Sequence, residues 1–343
     1  MGGLAQALVA QERPVTTREW DAFWNRLEGR RVDRREATDV VVALSMQPPE
    51  TASVDSLVAS LDARRTHTTQ QCAVNIVGTG GGPATFNIST AAALVAASIG
   101  VPVIKSGSRG ISSRHGSIDM LELLGVKVAT SGEAMRRSLE QFGVAFVGSF
   151  VYPPQLASLA KAILPLDIRK VGGFFKRIAP LLADMPVSVQ VTGMASLEDL
   201  ALLRHLARVH VRHPVWLCHN ELGIDELVSF QANVIQREPG EGDLSLTPSA
   251  LELAPGSSEE LAPASGVGPL VAQFHALLDG KGSAGAVETI CLNAAALAVA
   301  GGIRSDWRQA IDGSREAMER GEPRAILRRM GEARASVVAR APA

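Results

Sequence analysis

The N-terminal part of the chain places apolar residues at the spacing of amphipathic helices. A capping box, in which two side chains satisfy the first backbone N–H groups of a helix, is predicted at Thr16 and Glu19. The apolar positions that follow at i, i+3, i+4 and i+7 are Trp20, Phe23, Trp24 and Leu27. Further helices are predicted over about 33–47 and 54–63. We therefore expect residues 1–68 to form an all-helical domain.

The pattern changes at Cys72, where short apolar runs begin to alternate with helical stretches. These runs are VNIVG, VPVIKS, VKVAT, VAFVGSF, VSVQVTG and PVWLCHN. Strands that alternate with helices are typical of a parallel sheet with covered faces, whose ligands bind at the carboxyl ends of the strands. Residues 153–186 interrupt the alternation with helical sequence, and two strands after Glu226 are predicted to be antiparallel. The sequence thus predicts an α/β domain over 69–343 with a mostly parallel central sheet.

The stretch from Ile76 to Val126 concentrates small residues that are suited to binding an anion. A predicted strand runs directly into the glycines 78, 80, 81 and 82. The next polar residues stand at the start of an alanine-rich helix: Asn87, Ser89 and Thr90. Glycines let backbone N–H groups approach a bound group, and a helix N-terminus offers unpaired N–H donors. Both features favour a phosphate group as the ligand.

Fixed charges follow these loops. Lys105 ends the next predicted strand, Arg109 lies in the loop after it, and the pair Asp225–Glu226 follows the apolar run PVWLCHN. Each has an ordinary explanation when taken alone: a lysine that reaches solvent, an arginine that ties down a loop, or a solvated acidic turn. Together with the glycine loop they predict a polyanion site, and adjacent carboxylates suit Mg²⁺ shared with substrate phosphates.

Composition restricts the class of protein. With 46% hydrophobic and 20% charged residues, the chain has the make-up of a soluble globular protein. Its net charge of −1 argues against a general nucleic-acid surface. The three cysteines each lie in an apolar run, which favours reduced core thiols over disulfides. No signal peptide and no membrane-spanning run is predicted, so we expect a cytoplasmic protein without a membrane partner.

In their order, these motifs resemble the anthranilate phosphoribosyltransferase family, whose signature reads GTGGDG…FNxST…KHGNR…SSxxGSAD. The chain has GTGG, TFNIST, the Lys and Arg of the third block, SS and GS. HNELGIDEL at 219–227 is similar to the family's HGxDGLDE, and LNAAALAVAGG at 292–302 to its C-terminal region. The resemblance spans nearly the whole chain. It implies a fold of the nucleoside phosphorylase/phosphoribosyltransferase type.

The resemblance also implies how the domains are completed and assembled. Helices inserted at about 153–186 should complete the small helical domain of residues 1–68 and form one wall of the acceptor site. A homodimer through this helical domain is expected. Its candidate contact is the stripe of Trp20, Phe23 and Trp24.

The implied reaction transfers 5-phosphoribosyl from phosphoribosyl pyrophosphate (PRPP) to the nitrogen of an aromatic acceptor and releases pyrophosphate. Lys105 and Arg109 are the expected catalytic residues, because fixed cations stabilise charge that builds up on the leaving group. Mg²⁺ is expected at Ser89, Asp225 and Glu226. The residues expected to bind PRPP are Gly78, Thr79, Gly80, Gly81, Asn87, Ser89, Thr90, Lys105, Ser113 and Ser117.

Departures from the family motifs gather on the acceptor side. Two serines stand where KHGNR has His and Asn, and Gly82 stands where GTGGDG has its Asp. The arginine that meets the anthranilate carboxylate falls near Leu166 or Asp167, so its charge is lost or reversed. The residues expected on this side are Ser106, Ser108, Arg169 and Lys176, with Lys170 and Arg177 as further cations. We therefore expect anthranilate or, with preference, a less anionic analogue as the acceptor.

Two other functions stay open at this point. A pyrimidine nucleoside phosphorylase has the same type of fold, and SGSRGISSRHGSIDMLE is similar to that family's SGRGLxxTGGTxDxLE, although the chain is short for it. A non-catalytic binding protein on this fold would account for the lost acceptor residues. Phosphate-dependent cleavage of uridine would select the first alternative.

Overall fold

The computed structural model describes residues 3–65, 73–107, 109, 115–238 and 240–340, with 334–340 described by backbone alone. The helices are α1 (Gly3–Ala10), α2 (Thr17–Glu28), α3 (Arg34–Met46), α4 (Thr51–Asp62), α5 (Ile88–Ser98), α6 (Ser117–Leu123), α7 (Gly132–Phe142), α8 (Pro154–Ala162), α9 (Ile168–Val171), α10 (Gly173–Leu182), α11 (Leu200–His210), α12 (Val267–Leu278), α13 (Ala284–Ala300), α14 (Trp307–Glu319) and α15 (Glu322–Arg340). The strands are β1 (Ala73–Gly78), β2 (Val103–Ser106), β3 (Val144–Val147), β4 (Val187–Gly193), β5 (Val215–Asn220), β6 (Asn233–Gln236) and β7 (Leu244–Leu246). Two 3₁₀ helices cover Ser149–Val151 and Ser258–Leu261.

The chain divides into two compact units. The first, called the helical unit, comprises Met1–Thr68, Phe150–Asp184 and Asp199–Arg212. The second, called the sheet unit, comprises Thr69–Ser149, Met185–Glu198 and His213–Ala343.

The aromatic stripe of α2 lies in the interior of the helical unit. Trp20, Phe23 and Trp24 are each at most 2% exposed, and the rings of Trp20 and Trp24 stack with centroids 5.8 Å apart. The helix begins at the predicted capping box, in which Thr16 N donates to Glu19 Oε2 at 2.9 Å. Because the single chain already buries the stripe, a partner subunit cannot reach it, and the predicted dimer contact through these aromatic residues is wrong. The homodimer itself stays a prediction.

Helices α8 to α11 belong to the same unit. Helices α8 and α10 pack against α3, and α11 packs against α4 and α10. His205 and His210 of α11 contact the Asp55 carboxylate on α4 at 2.8 and 3.0 Å. The region of α11 lies within 69–343, which the sequence predicts to be the α/β domain, but it packs in the helical unit instead. The apolar spacing of a helix shows which of its faces is buried, but it does not show which part of the protein that face packs against.

The sheet unit is built on a seven-stranded sheet in the order β3-β2-β1-β4-β5-β6-β7. The first five strands in this order are parallel, and β6 and β7 are antiparallel. The predicted mostly parallel α/β architecture is confirmed. The run VKVAT, predicted as a strand, forms only an isolated bridge from Ala129 to Val147. That prediction is wrong because Ala129 alone meets the edge strand β3, with its N–H on Phe146 O and its carbonyl accepting from Gly148 N.

Two alanine-rich helices pack against this sheet and against each other. Helix α5 buries eight of its eleven residues, and α13 buries thirteen of its seventeen. Burial around most of a helix is typical of a helix inside a protein core. Cys218 and Cys291 are buried free thiols, and Cys72 lies outside the described residues. Within the described ranges, no helix combines the length and the apolar character that crossing a bilayer requires.

Candidate active site

The last residue of β1 and the loop after it, residues 78–82, are together called the glycine loop. It lies against the loop of residues 221–230, called the acidic loop. Gly80 N donates to Asp225 Oδ2 at 2.7 Å. A Cβ atom at Gly78 would collide with the Asp225 carboxylate, and one at Gly193 would collide with the Asp225 backbone. The absence of side chains at these glycines therefore lets Asp225 approach β1 and β4 directly.

The glycine loop is also attached to the end of β4. Thr79 N donates to Gly193 O at 2.9 Å, and Ala195 N donates to Thr79 Oγ1 at 3.4 Å. Gly80 and Gly81 have φ angles of 67° and 101°, which side chains rarely permit. The loop thus needs glycine for its backbone conformation as well as for its close approach to Asp225.

Lys105 and the acidic pair form one electrostatic cluster. Lys105 is 4% exposed, and its Nζ donates to Ile76 O at 3.4 Å and to Ser106 O at 3.3 Å. Burial lowers the pKa of Lys105 to about 8, while Glu226 and Asp225 act to raise it. Burial and the charge of Asp225 raise the pKa of Glu226 to about 8, while Lys105 acts to lower it. The structure therefore brings together the lysine and both carboxylates that the sequence singled out.

The N-terminus of α5 faces the same cluster. The backbone N–H of Ser89 acts to lower the pKa of the Glu226 carboxyl. Asn87 precedes the helix in the left-handed conformation, with φ 67°, and its Nδ2 donates to His115 O at 3.5 Å. Thr90 is fully buried, and its Oγ1 has no hydrogen-bond partner among the described residues. The helix start thus contributes to the electrostatics of the acidic pair.

A magnesium ion would fit at the acidic loop. Glu226 Oε2 is buried and has no hydrogen-bond partner in the described part of the chain, so this oxygen is available as a ligand. Among the same residues, no cluster of three or more His, Cys, Asp or Glu side chains could hold a metal. The Asp225–Glu226 pair therefore suits a cation that takes one or two carboxylates and completes its shell with substrate phosphates and water.

The serines after β2 have different surroundings. Ser106 is 1% exposed, and its Oγ has no hydrogen-bond partner among the described residues. Ser117 begins α6 beside Gly107, where a Cβ would collide with Ser117 Oγ. Ser108 and Ser113 lie outside the described residues.

Arg109, predicted to be catalytic, is held by carboxylates of α6. Its guanidinium donates to Asp119 Oδ1 at 3.2 Å and to Glu122 Oε2 at 2.8 Å, and its side chain is 50% exposed. These partners raise the pKa of Arg109 above its usual value. The contacts match the alternative explanation, an arginine that ties down its loop. A catalytic role for Arg109 stays a prediction.

The cations predicted on the acceptor side lie in the helical unit. Arg169 donates to Asp167 Oδ2 at 2.6 Å, so its charge is already paired with the acidic residue found near the expected arginine position. Asp167 also begins α9 by accepting from Arg169 N. Lys176 lies on α10 and is exposed. Of these two cations, Lys176 is the better placed to meet an anionic group.

Some supporting residues were not singled out from the sequence. Gly193 at the end of β4 makes room for Asp225, and Asn220 and Asn293 hold the backbone of the acidic loop. Asn293 did leave a signal, because an asparagine inside the apolar run LNAAALA must find hydrogen-bond partners when it is buried. Its partner, Leu227, is distant in sequence, and so the signal did not show what it holds.

A comparison with family models gives the class of this protein. Residues 70–324 match the model of a family described as the glycosyl transferase family, a/b domain. The glycine loop, Lys105 and the acidic loop all lie within that match.

Individual relatives show which family within this class the chain belongs to. The anthranilate phosphoribosyltransferase of Thermus thermophilus is 33% identical over 299 residues, which cover 85% of this chain and 88% of that protein. The enzyme of the same name from Bacillus velezensis is 31% identical over 261 residues, 75% of this chain and 76% of that protein. The crystal structure of the T. thermophilus enzyme has a TM-score of 0.77 and 27% identity, covering 97% of this chain and 99% of that one. The chain belongs to the anthranilate phosphoribosyltransferase family.

A structure of the Saccharomyces cerevisiae enzyme, solved in complex with PRPP and Mg, has a TM-score of 0.80 at 19% identity. The structural match covers 97% of this chain and 97% of the S. cerevisiae chain. At this level of identity the likeness concerns the fold.

Proposed function

We propose that this protein is a magnesium-dependent phosphoribosyltransferase. It transfers 5-phosphoribosyl from PRPP to the nitrogen of an aromatic or heteroaromatic acceptor and releases pyrophosphate. The observation that carries the proposal is the convergence of buried Lys105, the Asp225–Glu226 pair and the glycine loop at the strand ends of the sheet unit. Membership in a family whose curated relatives are named anthranilate phosphoribosyltransferase supports it.

The residues of the sheet unit suit this reaction. As the bond from C1′ to the pyrophosphate oxygen breaks, the electron pair leaves with pyrophosphate, and the acceptor nitrogen bonds C1′ and loses a proton. Lys105 is a fixed cation in a buried site, where it offsets the charge that develops on the leaving group more than the charge already present. The glycine loop and the N-terminus of α5 add backbone N–H donors for the phosphates.

Magnesium would be held by Asp225 and Glu226, with Ser89 as a further contact. When bound, it supplies positive charge that stabilises the departing pyrophosphate. Glu226 Oε2, which has no hydrogen-bond partner among the described residues, supports this assignment, and so does the S. cerevisiae enzyme that was solved with PRPP and Mg.

For the acceptor we propose anthranilate or, with preference, a less anionic analogue. Asp167 occupies the neighbourhood in which the motif places a carboxylate-binding arginine, and Arg169 is already paired with it. Ser106 replaces the histidine of the motif with a small hydroxyl that has no partner among the described residues. Losing charge-assisted hydrogen bonds to a substrate carboxylate costs about 1.5–3 kcal/mol each, so two losses reduce efficiency roughly a hundredfold or more.

The test is an assay of pyrophosphate release from PRPP against a panel of aromatic amines and heterocycles that includes anthranilate. We expect release that depends on both Mg²⁺ and an acceptor, with little or none from anthranilate. Omission of the acceptor and chelation of the metal are the controls. An anthranilate kcat/KM of about 10⁵ M⁻¹s⁻¹ would show that the acceptor-side departures are compensated.

Other outcomes would overturn the proposal itself. Phosphate-dependent cleavage of uridine or thymidine, without PRPP consumption, would make the protein a nucleoside phosphorylase. Tight binding of Mg²⁺ and PRPP with no acceptor turned over would make it a binding protein on this fold.

A further inference from the structure

The peptide bond between Glu226 and Leu227 is held at both of its polar ends by asparagine side chains. Its carbonyl, Glu226 O, accepts from Asn220 Nδ2 at 2.9 Å. Its N–H, on Leu227, donates to Asn293 Oδ1 at 3.1 Å. Asn293 Nδ2 also donates to Leu227 O at 2.7 Å, so Asn293 holds both polar backbone groups of the residue that follows Glu226.

Each asparagine is itself firmly placed. Asn293 lies on α13, is 1% exposed, and makes a further bond from its Nδ2 to Thr289 O at 2.8 Å. Asn220 ends β5, and its Oδ1 accepts from Leu222 N at 3.1 Å and from Ile224 N at 3.4 Å. Each side-chain amide therefore donates twice from Nδ2 to backbone carbonyls and accepts from backbone N–H at Oδ1.

The Glu226 side chain depends on this backbone for its position. One carboxylate oxygen, Oε2, is buried and has no hydrogen-bond partner in the described part of the chain. With so few bonds of its own, the carboxylate is aimed mainly by the peptide group that the two asparagines hold. A ligand-binding group that is held in place before binding loses less conformational entropy on binding.

We propose that Asn293 and Asn220 are positioning residues that hold the Glu226 carboxylate ready for the magnesium–PRPP complex. This inference rests on the function proposed above. It gives α13, which contributes no ligand of its own, a role in metal affinity.

The test compares Asn293→Leu with Thr289→Val in the full-length protein. Leucine keeps the branching of asparagine at Cγ, although it is larger, and it removes the partners of both Leu227 backbone groups. Thr289 lies one turn earlier on α13, is fully buried, and holds the same loop through Ser229 N at 3.1 Å, three residues beyond Glu226. Thr289→Val therefore also removes a buried hydrogen bond between α13 and the acidic loop, as Asn293→Leu does, but it leaves the bonds of the Glu226–Leu227 peptide group in place.

We expect Asn293→Leu to raise the Mg²⁺ concentration for half-maximal PRPP binding, measured by titration calorimetry, at least tenfold, or about 1.4 kcal/mol. Its kcat at saturating Mg²⁺ should stay within threefold of wild type. Thr289→Val should lower Tm comparably and leave the Mg²⁺ requirement within threefold. A merely structural role would lower both Tm values and shift neither Mg²⁺ requirement.

If Asn293→Leu does not fold, Asn220→Ala takes its place. It removes the hydrogen bond to Glu226 O, at the other end of the same peptide group, from a partly buried position. An unchanged Mg²⁺ requirement in the folded Asn293 or Asn220 variant would overturn the proposal, as would an equal shift in Thr289→Val.

If wild type bound no Mg²⁺–PRPP, the proposed function would fail, and hydrogen exchange would still test the positioning. Unliganded Asn293→Leu should exchange amides 226–228 at least tenfold faster than Thr289→Val, and equal rates would refute it.

Discussion

Replacing Lys105 by methionine should weaken the binding of PRPP, because it removes a buried positive charge and keeps most of the aliphatic stem. The ammonium has three donors, and its two contacts to backbone carbonyls, at 3.3 and 3.4 Å, are long and weak. A ligand phosphate is therefore the stronger partner. Loss of one charge-assisted hydrogen bond costs about 1.5–3 kcal/mol, which corresponds to a roughly ten- to 150-fold weaker complex.

The acidic residues that remain beside the substituted position should weaken PRPP binding further. Without the lysine, the Asp225 carboxylate loses the buried positive charge that offsets its own, and it repels a polyanion. The effect should therefore be largest at low Mg²⁺ and should shrink as Mg²⁺ saturates the carboxylates.

Titration calorimetry of PRPP at several Mg²⁺ concentrations, with kcat/KM measured in parallel, tests this reasoning. Lys127→Met, at an exposed lysine of the same unit, is the matched control and should behave as wild type. A thermal melt without ligand shows whether each variant is folded. Affinity and turnover within threefold of wild type in folded Lys105→Met would remove Lys105 from the phosphate site.

Gly78→Ala should push Asp225 away and weaken Mg²⁺–PRPP binding at least tenfold by calorimetry. Gly132→Ala adds a Cβ atom in open space and should leave this binding unchanged. Arg109→Ala should lower kcat/KM less than tenfold, because its charge is already paired; a loss as large as that of the lysine variant would establish the catalytic role predicted from the sequence. Pairing with Arg13 lowers the pKa of Glu19 to about 2 from 4.5, so its stabilisation is present above about pH 4.5 and is lost as the pH falls toward 2. Glu19→Gln should therefore cost about 1 kcal/mol at pH 7 in urea unfolding, since solvent screens the pair, and less at pH 3; an equal cost at both would contradict this.

The parts of the site that could be predicted from the sequence are those whose function needs only neighbouring residues. The glycine loop, the start of α5 and the acidic pair are each a short run in which backbone freedom or charge indicates the chemistry. Their convergence could also be predicted, because the carboxyl ends of parallel strands meet at one edge of a sheet.

Other features depend on residues far apart in the sequence, and local patterns did not show them. The stripe on α2 has the spacing of either a core or a subunit contact, and only the packing of the helical unit shows that it is core. Arg109 looked like a phosphate ligand until its two carboxylate partners on α6 were known. Asn293 meets a loop 66 residues away, a pairing that no local motif encodes.

The order in which the units occupy the sequence affects how the chain can fold. The helical unit is assembled from three separate segments, and the last of them ends at Arg212. During synthesis, α1 to α4 must therefore wait for α11 to leave the ribosome before their native partners, such as the histidines that meet Asp55, are present. Contacts of such long sequence separation slow folding and lengthen the time for which apolar surface is exposed. Any contiguous fragment that contains all segments of one unit also contains segments of the other, so neither unit can be produced alone by truncation.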